Sequence, residues 1–116
     1  MRHRNTTKTL GRKKAPREAM LRNLATSIIL HETVKTTAAK AKVVRPIVER
    51  LITRGAENTI HNRRELMKVL MTEGAVNKVL DVLGPKYASR PGGYTRVTKL
   101  GSRQGDGAEM VEISFV

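Results

Sequence analysis

Residues 33–52 read TVKTTAAKAKVVRPIVERLI, and the change of period inside this stretch decides the fold class. Residues 33–37 are mostly β-branched, which favours a short strand. Apolar residues then recur at helical spacing, as Ala41, Val44, Ile47, Val48, Leu51 and Ile52. Thr36 or Thr37 can cap this helix, because a threonine oxygen accepts a hydrogen bond from a free N–H group in the first turn.

Pro46 lies inside this helical pattern. Proline removes one backbone hydrogen bond and costs about 3 kcal/mol in a helix interior if nothing compensates. The apolar spacing nevertheless continues on both sides of it. We therefore predict one kinked helix rather than two, ended by Gly55.

Helices are predicted on either side of this stretch. Pro16 suits the first turn of a helix that closes at His31 and Glu32, with an apolar stripe of Met20, Leu21, Leu24, Ala25, Ile28 and Ile29. A third helix is predicted over 59–71, with Ile60, Leu66, Met67 and Leu70 on its apolar side. A fourth runs from Glu73 to Leu83, uses Val76, Val79, Leu80 and Leu83, and is stopped by Gly84-Pro85.

The C-terminal residues change to a period of two. Thr95 and Val97 alternate with polar neighbours, as do Val111, Ile113 and Phe115, so both segments read as half-buried strands. The flexible loop 101–107 joins them into a hairpin, and the 33–37 strand can add to the same sheet. The fold class is therefore α+β, with about four helices and a small sheet. The domain spans 16–116 and follows a basic arm, 1–15.

Charge is the strongest compositional feature, with a formal net charge of +13. Residues 1–54 hold 14 basic and 3 acidic residues, a net of +11, and residues 55–116 hold 9 and 7, a net of +2. Such an excess favours a polyanionic partner. The chain has no Cys, which excludes disulfides and thiolate metal sites and fits a cytoplasmic protein. No secretory signal and no membrane-length apolar run are visible.

Catalysis has little support in the sequence. His3, His31 and His61 are dispersed, the acids are scattered singly, and no nucleophile or phosphate-loop motif is present. We expect no catalytic residue, no metal, no cofactor and no small-molecule substrate.

Three basic clusters are candidate binding sites. The arm carries Arg2, His3, Arg4, Lys8, Arg12, Lys13 and Lys14, and Arg17 and Arg22 extend its surface. An extended cationic segment can follow a phosphate backbone, and the alternative is a soluble disordered tail.

The second cluster sets Lys35, Lys40 and Lys42 around Thr36 and Thr37 at a helix start, where free N–H groups attract phosphate. The alternative is a capping pair beside ordinary solvated lysines. The third cluster is Arg90, Gly92, Gly93, Tyr94 and Arg96, continued by Lys99 and Arg103. Its glycines allow close backbone approach and Tyr94 offers a stacking face, while the alternative is a plain turn that feeds a strand.

The whole chain resembles the L17 family of bacterial large-subunit ribosomal proteins. The motifs that carry the resemblance are MRHR at 1–4, LGR at 10–12, LRNLA at 21–25, VKTTAAKAK at 34–42, RP at 45–46, LIT at 51–53 and GGYTRVTKLG at 92–101. The sequence departs from the family mainly in the third and fourth helices and in the 101–107 loop.

The resemblance implies a two-layer α/β domain with a basic N-terminal arm. It also implies a structural constituent of the 50S subunit that binds 23S rRNA, supports translation and is not an enzyme. It also implies a place near the peptide exit region, beside neighbouring proteins such as L32. Two rival functions share the charge: an architectural DNA-binding protein and a small RNA-acting enzyme. The first lacks a helix with base-reading residues at its start, and the second lacks a catalytic constellation.

Overall fold

The structure is a computed structural model that describes residues 8–116. It contains, in chain order, α1 (Lys14–His31), β1 (Thr33–Thr37), α2 (Ala38–Arg54), α3 (Ile60–Met67), α4 (Glu73 to Lys86, with a π-helical turn at Val79–Leu83), β2 (Thr95–Ser102) and β3 (Glu109–Phe115). The predicted α+β class is confirmed, with four helices and one small sheet.

The three strands form one antiparallel sheet in the order β1-β3-β2. β3 pairs with both neighbours, so the predicted hairpin and the added 33–37 strand are confirmed. β3 alternates in burial, and Val111 and Ile113 face the core. β2 is not half-buried as predicted: Thr95 is its one buried residue and Val97 is 37% exposed. The reason is that β2 is an edge strand and α2 contacts it at its beginning, through Arg45 and Thr95.

The core is built mainly from aliphatic side chains of α1, α2, α4 and β3. Its largest fully buried members include Ile28, Ile29, Val44, Val48, Ile52, Leu66, Val76, Val79, Leu83 and Ile113. Three aromatic rings complete it at one end. Tyr87 lies 5.2 Å from Tyr94 and 6.3 Å from Phe115, measured between ring centroids.

α1 begins at Lys14 and places Pro16 in its first turn, as predicted. It ends at His31, and Glu32 closes it in the left-handed conformation with φ of 64°. Leu10 is half-buried and packs against the core, so the end of the basic arm contacts the domain. Within residues 8–116, no helix combines the length and apolarity that a membrane span requires.

α2 is one continuous helix through Pro46, as predicted; the kink stays a prediction. Thr37 caps it, because its side-chain oxygen accepts a hydrogen bond from the Lys40 N–H at 3.4 Å. Gly55 closes the helix with φ of −72°, so its lack of a side chain serves close packing, not a left-handed turn. A Cβ on Gly55 would overlap Val79 of α4.

α3 is shorter than predicted. It ends at Met67, leaves Ile60 72% and Met67 54% exposed, and buries only Leu66 of its own residues. The helix does not continue to residue 71, because the Met71 N–H donates to Thr26 Oγ1 of α1 at 3.0 Å and not to a carbonyl of α3. Thr72 then adopts extended angles and caps α4.

The prediction that Gly84-Pro85 stops the fourth helix is wrong. Helical backbone continues through both residues to Lys86, after a π-helical turn that ends at Leu83. Gly84 has φ of −57° and ψ of −55°, and it lies against the backbone of Gly55. The Pro85 ring is tolerated because it occupies the first turn of this last segment, where a missing N–H is least harmful.

Candidate nucleic-acid interface

The predicted arm residues Arg2, His3 and Arg4 lie outside the described residues. Lys8, Arg12, Lys13 and Lys14 are all exposed. Leu10 and Gly11 have φ of 52° and 69°, so the chain turns just before α1. The Arg12 guanidinium donates a hydrogen bond to the Leu10 carbonyl at 2.8 Å, which holds this turn. Residues 8–14 of the arm therefore present their cations on a turn that is held against the domain.

Arg17 and Arg22 extend this surface, but both are half-buried. Arg22 Nε donates to the Val69 carbonyl at 3.0 Å and so ties α1 to the segment after α3. A packing contact thus explains at least part of the role of Arg22. Its contact with RNA stays a prediction.

At the start of α2 only one of the two predicted threonines is available at the surface. Thr36 is 8% exposed and lies opposite Val111 in the sheet, whereas Thr37 is half-buried and caps the helix. Lys35 and Lys42 are exposed and Lys40 is half-buried. The cluster therefore combines three lysines with a capped helix start, and the Thr36 hydroxyl takes no part at the surface.

The prediction that Tyr94 stacks on a base is wrong. Its side chain is 4% exposed, its hydroxyl shares a hydrogen bond with Thr53 Oγ1 at 3.0 Å, and its ring packs against Tyr87. The ring fills the space between α2 and the end of α4, so it offers no free face. Gly92 and Gly93 have φ of 96° and 67°, and both are needed for this backbone course.

The cations around this turn differ in their availability. Arg90, Arg96 and Lys99 are exposed. Arg103 Nε donates to Asp106 Oδ1 at 3.1 Å within the hairpin loop. The Arg103 guanidinium, followed by the Ala108 N–H, holds the pKa of the Asp106 carboxyl well below its usual range. Arg103 is therefore partly neutralised, and Arg96 and Lys99 are the better phosphate ligands of the third cluster.

Tertiary structure brings Lys42 of the second cluster and Lys99 of the third cluster to one groove, which we name the α2–sheet groove. It encloses about 550 Å³ between the first half of α2 and the strands β2 and β3. The groove is lined by charged residues and by apolar residues. The charged ones are Lys42, Arg45, Glu49, Lys99 and Glu109, and the apolar ones are Ala38, Ala41, Pro46, Val97 and Val111.

The residues predicted from the sequence to bind RNA did not include Arg45, Arg50 or Arg54. Arg50 and Arg54 are exposed and line a second groove with Arg22, between α1, α2 and α3. Their spacing of four residues on a predicted helix places them on one face, and that signal could have identified them.

Arg45 and Glu49 make the densest polar contact of the interface. Arg45 Nε donates to Thr95 Oγ1 at 3.1 Å and Nη2 to the Thr95 carbonyl at 3.4 Å. The Glu49 carboxylate accepts the Tyr94 N–H at 3.1 Å and pairs with Arg45 at 3.4 Å. These bonds join α2 to the beginning of β2, directly after the glycine pair.

Comparisons with known proteins agree with the resemblance in the sequence motifs. The sequence model of the family described as "Ribosomal protein L17" matches residues 20–116. The large ribosomal subunit protein bL17 of Thermomicrobium roseum is 49% identical over 116 residues, which cover 100% of this chain and 99% of that relative.

Two further relatives carry the same name. The protein of Gemmatimonas aurantiaca is 49% identical, with 100% of this chain and 98% of the relative covered. The protein of Syntrophotalea carbinolica is 45% identical, with 100% of this chain and 75% of the relative covered. On the strength of this similarity, which extends over the whole chain, the protein belongs to the ribosomal protein L17 family.

Proposed function

We propose that this chain is a structural constituent of the 50S ribosomal subunit, where it binds 23S rRNA mainly through phosphate contacts and so supports translation. Membership of a structural, non-enzymatic ribosomal family supports this role and a place in the ribosome, in the cytoplasm. The exposed cations of the arm, the α2 start and β2 supply the charge that phosphate neutralisation needs.

The position of the aromatic side chains is the observation that favours phosphate and shape over base reading. The chain has two Tyr, one Phe and no Trp. Tyr87 and Tyr94 are buried, and Phe115 is half-buried against them. RNA-binding modules that read single strands stack bases on exposed aromatic rings, and this chain has none to offer. Lys42, Arg96 and Lys99 contact a polyanion as charges instead.

The proposed rRNA contacts are the described cations of the three clusters together with Arg2, His3 and Arg4. Gly92 and Gly93 would allow close approach of the backbone. Thr36 and the Tyr94 ring are left out, because both side chains are buried.

Protein neighbours are a second part of the proposal. Residues 55–116 carry a net charge of only +2, and this half exposes Met67, Met71 and Val82. Exposed apolar side chains in a half of the chain with little net charge suit a contact with protein better than with RNA. We propose that a neighbouring large-subunit protein such as L32 contacts these exposed apolar side chains, near the peptide exit region. Crosslinking within intact subunits tests it: crosslinks to neighbouring proteins that are confined to residues 1–54 would contradict the proposal.

Salt dependence of binding separates the proposed function from its rivals. If ~8 phosphates are neutralised, the logarithm of the affinity for a 23S rRNA fragment should fall with that of the salt concentration, with a slope of about −6 to −7. Duplex DNA of equal length, measured at equal salt, is the control. Tighter binding to the duplex would favour an architectural DNA-binding protein and overturn the proposal.

A further inference from the structure

Glu49 is an acidic residue in a surface that we propose to bind phosphate, where an acid is not expected. It lies on α2 between Lys42 and Arg50 in sequence, and it lines the α2–sheet groove with Lys42, Arg45 and Lys99. By charge alone, a carboxylate here repels phosphate and weakens RNA binding. Its side chain is 22% exposed, so the carboxylate is held close to the protein.

Besides its ion pair with Arg45, the Glu49 carboxylate contacts two residues at the entry to β2. Glu49 accepts the backbone N–H of Tyr94 at 3.1 Å and the hydroxyl of Thr95 at 3.5 Å. Arg45 donates to the Thr95 hydroxyl at 3.1 Å and to the Thr95 carbonyl at 3.4 Å. Two neighbouring turns of α2 therefore hold both peptide groups at the entry to β2.

The segment held in this way is the one with the greatest backbone freedom in the third cluster. Gly92 and Gly93 immediately precede Tyr94, and glycine loses more conformational entropy on ordering than any other residue. On the other side of Tyr94, its carbonyl accepts the Val116 N–H at 3.0 Å. Tyr94 is thus held both by Glu49 of α2 and by the Val116 N–H. The position of Tyr94 in turn sets the direction of the backbone that leads to Arg96.

We infer that Glu49 and Arg45 are positioning residues for RNA binding: they hold residues 92–96 so that Arg96 and Lys99 meet phosphate, and Arg45 is not itself a phosphate ligand. The inference rests on the proposed function for its RNA readout. Nε of Arg45 already contacts Thr95 and Glu49, and Nη2 donates to the Thr95 carbonyl. Preorganised cations bind more tightly because less ordering remains to be done on binding.

The direction in which one substitution changes the affinity for rRNA tests this inference. Glu49→Ala removes a negative charge from the interface, and so does the control Glu109→Ala, whose exposed side chain lines the same groove. Electrostatics alone predicts that both variants bind a 23S rRNA fragment more tightly. We expect the control to gain up to about twofold. Glu49→Ala should instead lose about two- to tenfold, which corresponds to one or two lost hydrogen bonds.

Two further measurements distinguish positioning from phosphate contact and from unfolding. Arg45→Ala should weaken binding without changing the salt slope, whereas loss of a phosphate ligand would reduce the slope by about 0.7–0.9. Hydrogen exchange of the Tyr94 amide in the free protein should accelerate in Glu49→Ala and stay unchanged in Glu109→Ala. If Glu49→Ala does not unfold cooperatively, Thr95→Val, which changes no charge, should lose affinity to a similar degree.

The outcomes decide two separate questions. A Glu49→Ala variant that gains affinity as its control does, or that keeps the Tyr94 amide protected, overturns the inference. A wild-type chain that fails to bind rRNA overturns the proposed function, and the amide exchange still shows whether Glu49 holds Tyr94. A reduced salt slope in Arg45→Ala makes Arg45 a phosphate ligand and also overturns the inference.

Discussion

Replacing Gly84 with alanine tests a close approach between the end of α2 and the last turn of α4. A Cβ at this position would lie 2.5 Å from the carbonyl carbon of Gly55 and 2.9 Å from the carbonyl oxygen of Val79. Ordinary contacts between carbon atoms are 3.5–4.0 Å. The Gly55 backbone at the end of α2 must therefore move away from the last turn of α4 by about 1 Å, and the Val79 carbonyl, which lies in α4 itself, must also shift. Both obstructing groups are backbone and cannot rotate away.

The expected loss follows from this overlap. Overpacking a core costs typically 1–3 kcal/mol, and a clash with two backbone groups should reach about 3 kcal/mol. Gly84 already has helical angles, so the higher helix propensity of alanine stabilises the variant by about 1 kcal/mol and offsets part of this loss. The net loss in the free energy of unfolding is about 2 kcal/mol, which for a domain of this size lowers Tm by about 8 °C.

Gly74→Ala is the matched control, because Gly74 lies in the same helical segment with no atom within 4 Å of its Cβ position. Only helix propensity acts there, and Tm should rise by about 2–4 °C. Thermal unfolding followed by circular dichroism at fixed salt compares the two variants. The reasoning is refuted if Gly84→Ala melts at or above the wild-type temperature, or if both glycines respond alike.

Four further predictions concern the binding surface and the core. Deletion of residues 1–9, which spares the core contact of Leu10, should leave Tm unchanged but reduce incorporation into large subunits, and a lost cooperative transition would contradict this. Tyr94→Ala should lower the free energy of unfolding by about 3–5 kcal/mol and Tyr94→Phe by about 1 kcal/mol, measured in urea; equal effects would show that the ring is not packed. Arg96→Ala should weaken rRNA binding and reduce the salt slope by about 0.7–0.9, with Tm unchanged; an unchanged slope would remove it from the phosphate ligands. The pKa of Asp106 is lowered in the folded chain, so its contribution to the hairpin loop is present above the ordinary Asp pKa of about 3.9 and is lost as the pH falls through the folded value. An NMR titration with a midpoint near 3.9 would contradict this ion pair.

The elements that could be predicted are those with a strong local signal. The strand 33–37 follows from its β-branched residues, and the continuous helix through Pro46 and the alternation of β3 follow from the spacing of apolar residues. The structure confirms each of them. The α+β class follows from the same spacing. Family membership, indicated by the order of motifs along the chain, is confirmed by the comparisons.

The wrong predictions concern residues whose neighbours are distant in sequence. The local propensities of Gly84 and Pro85 predict a helix stop, yet Gly84 takes helical angles where it packs against Gly55, and the helix continues to Lys86. Ile60 fits an apolar stripe, but α3 is too short and too peripheral to cover it.

The sequence by itself determined the excess of positive charge, its concentration in residues 1–54 and the alternation of helical and strand segments, because these depend on composition and on neighbours a few residues apart. Only the tertiary structure decided that Tyr94 is buried while Arg96 stays exposed, and that Glu49 reaches the Tyr94 N–H across 45 residues. The same packing placed Lys42 and Lys99 on one groove. Burial and long-range hydrogen bonds depend on which faces of the helices and the sheet meet, and no local pattern of residues contains that information.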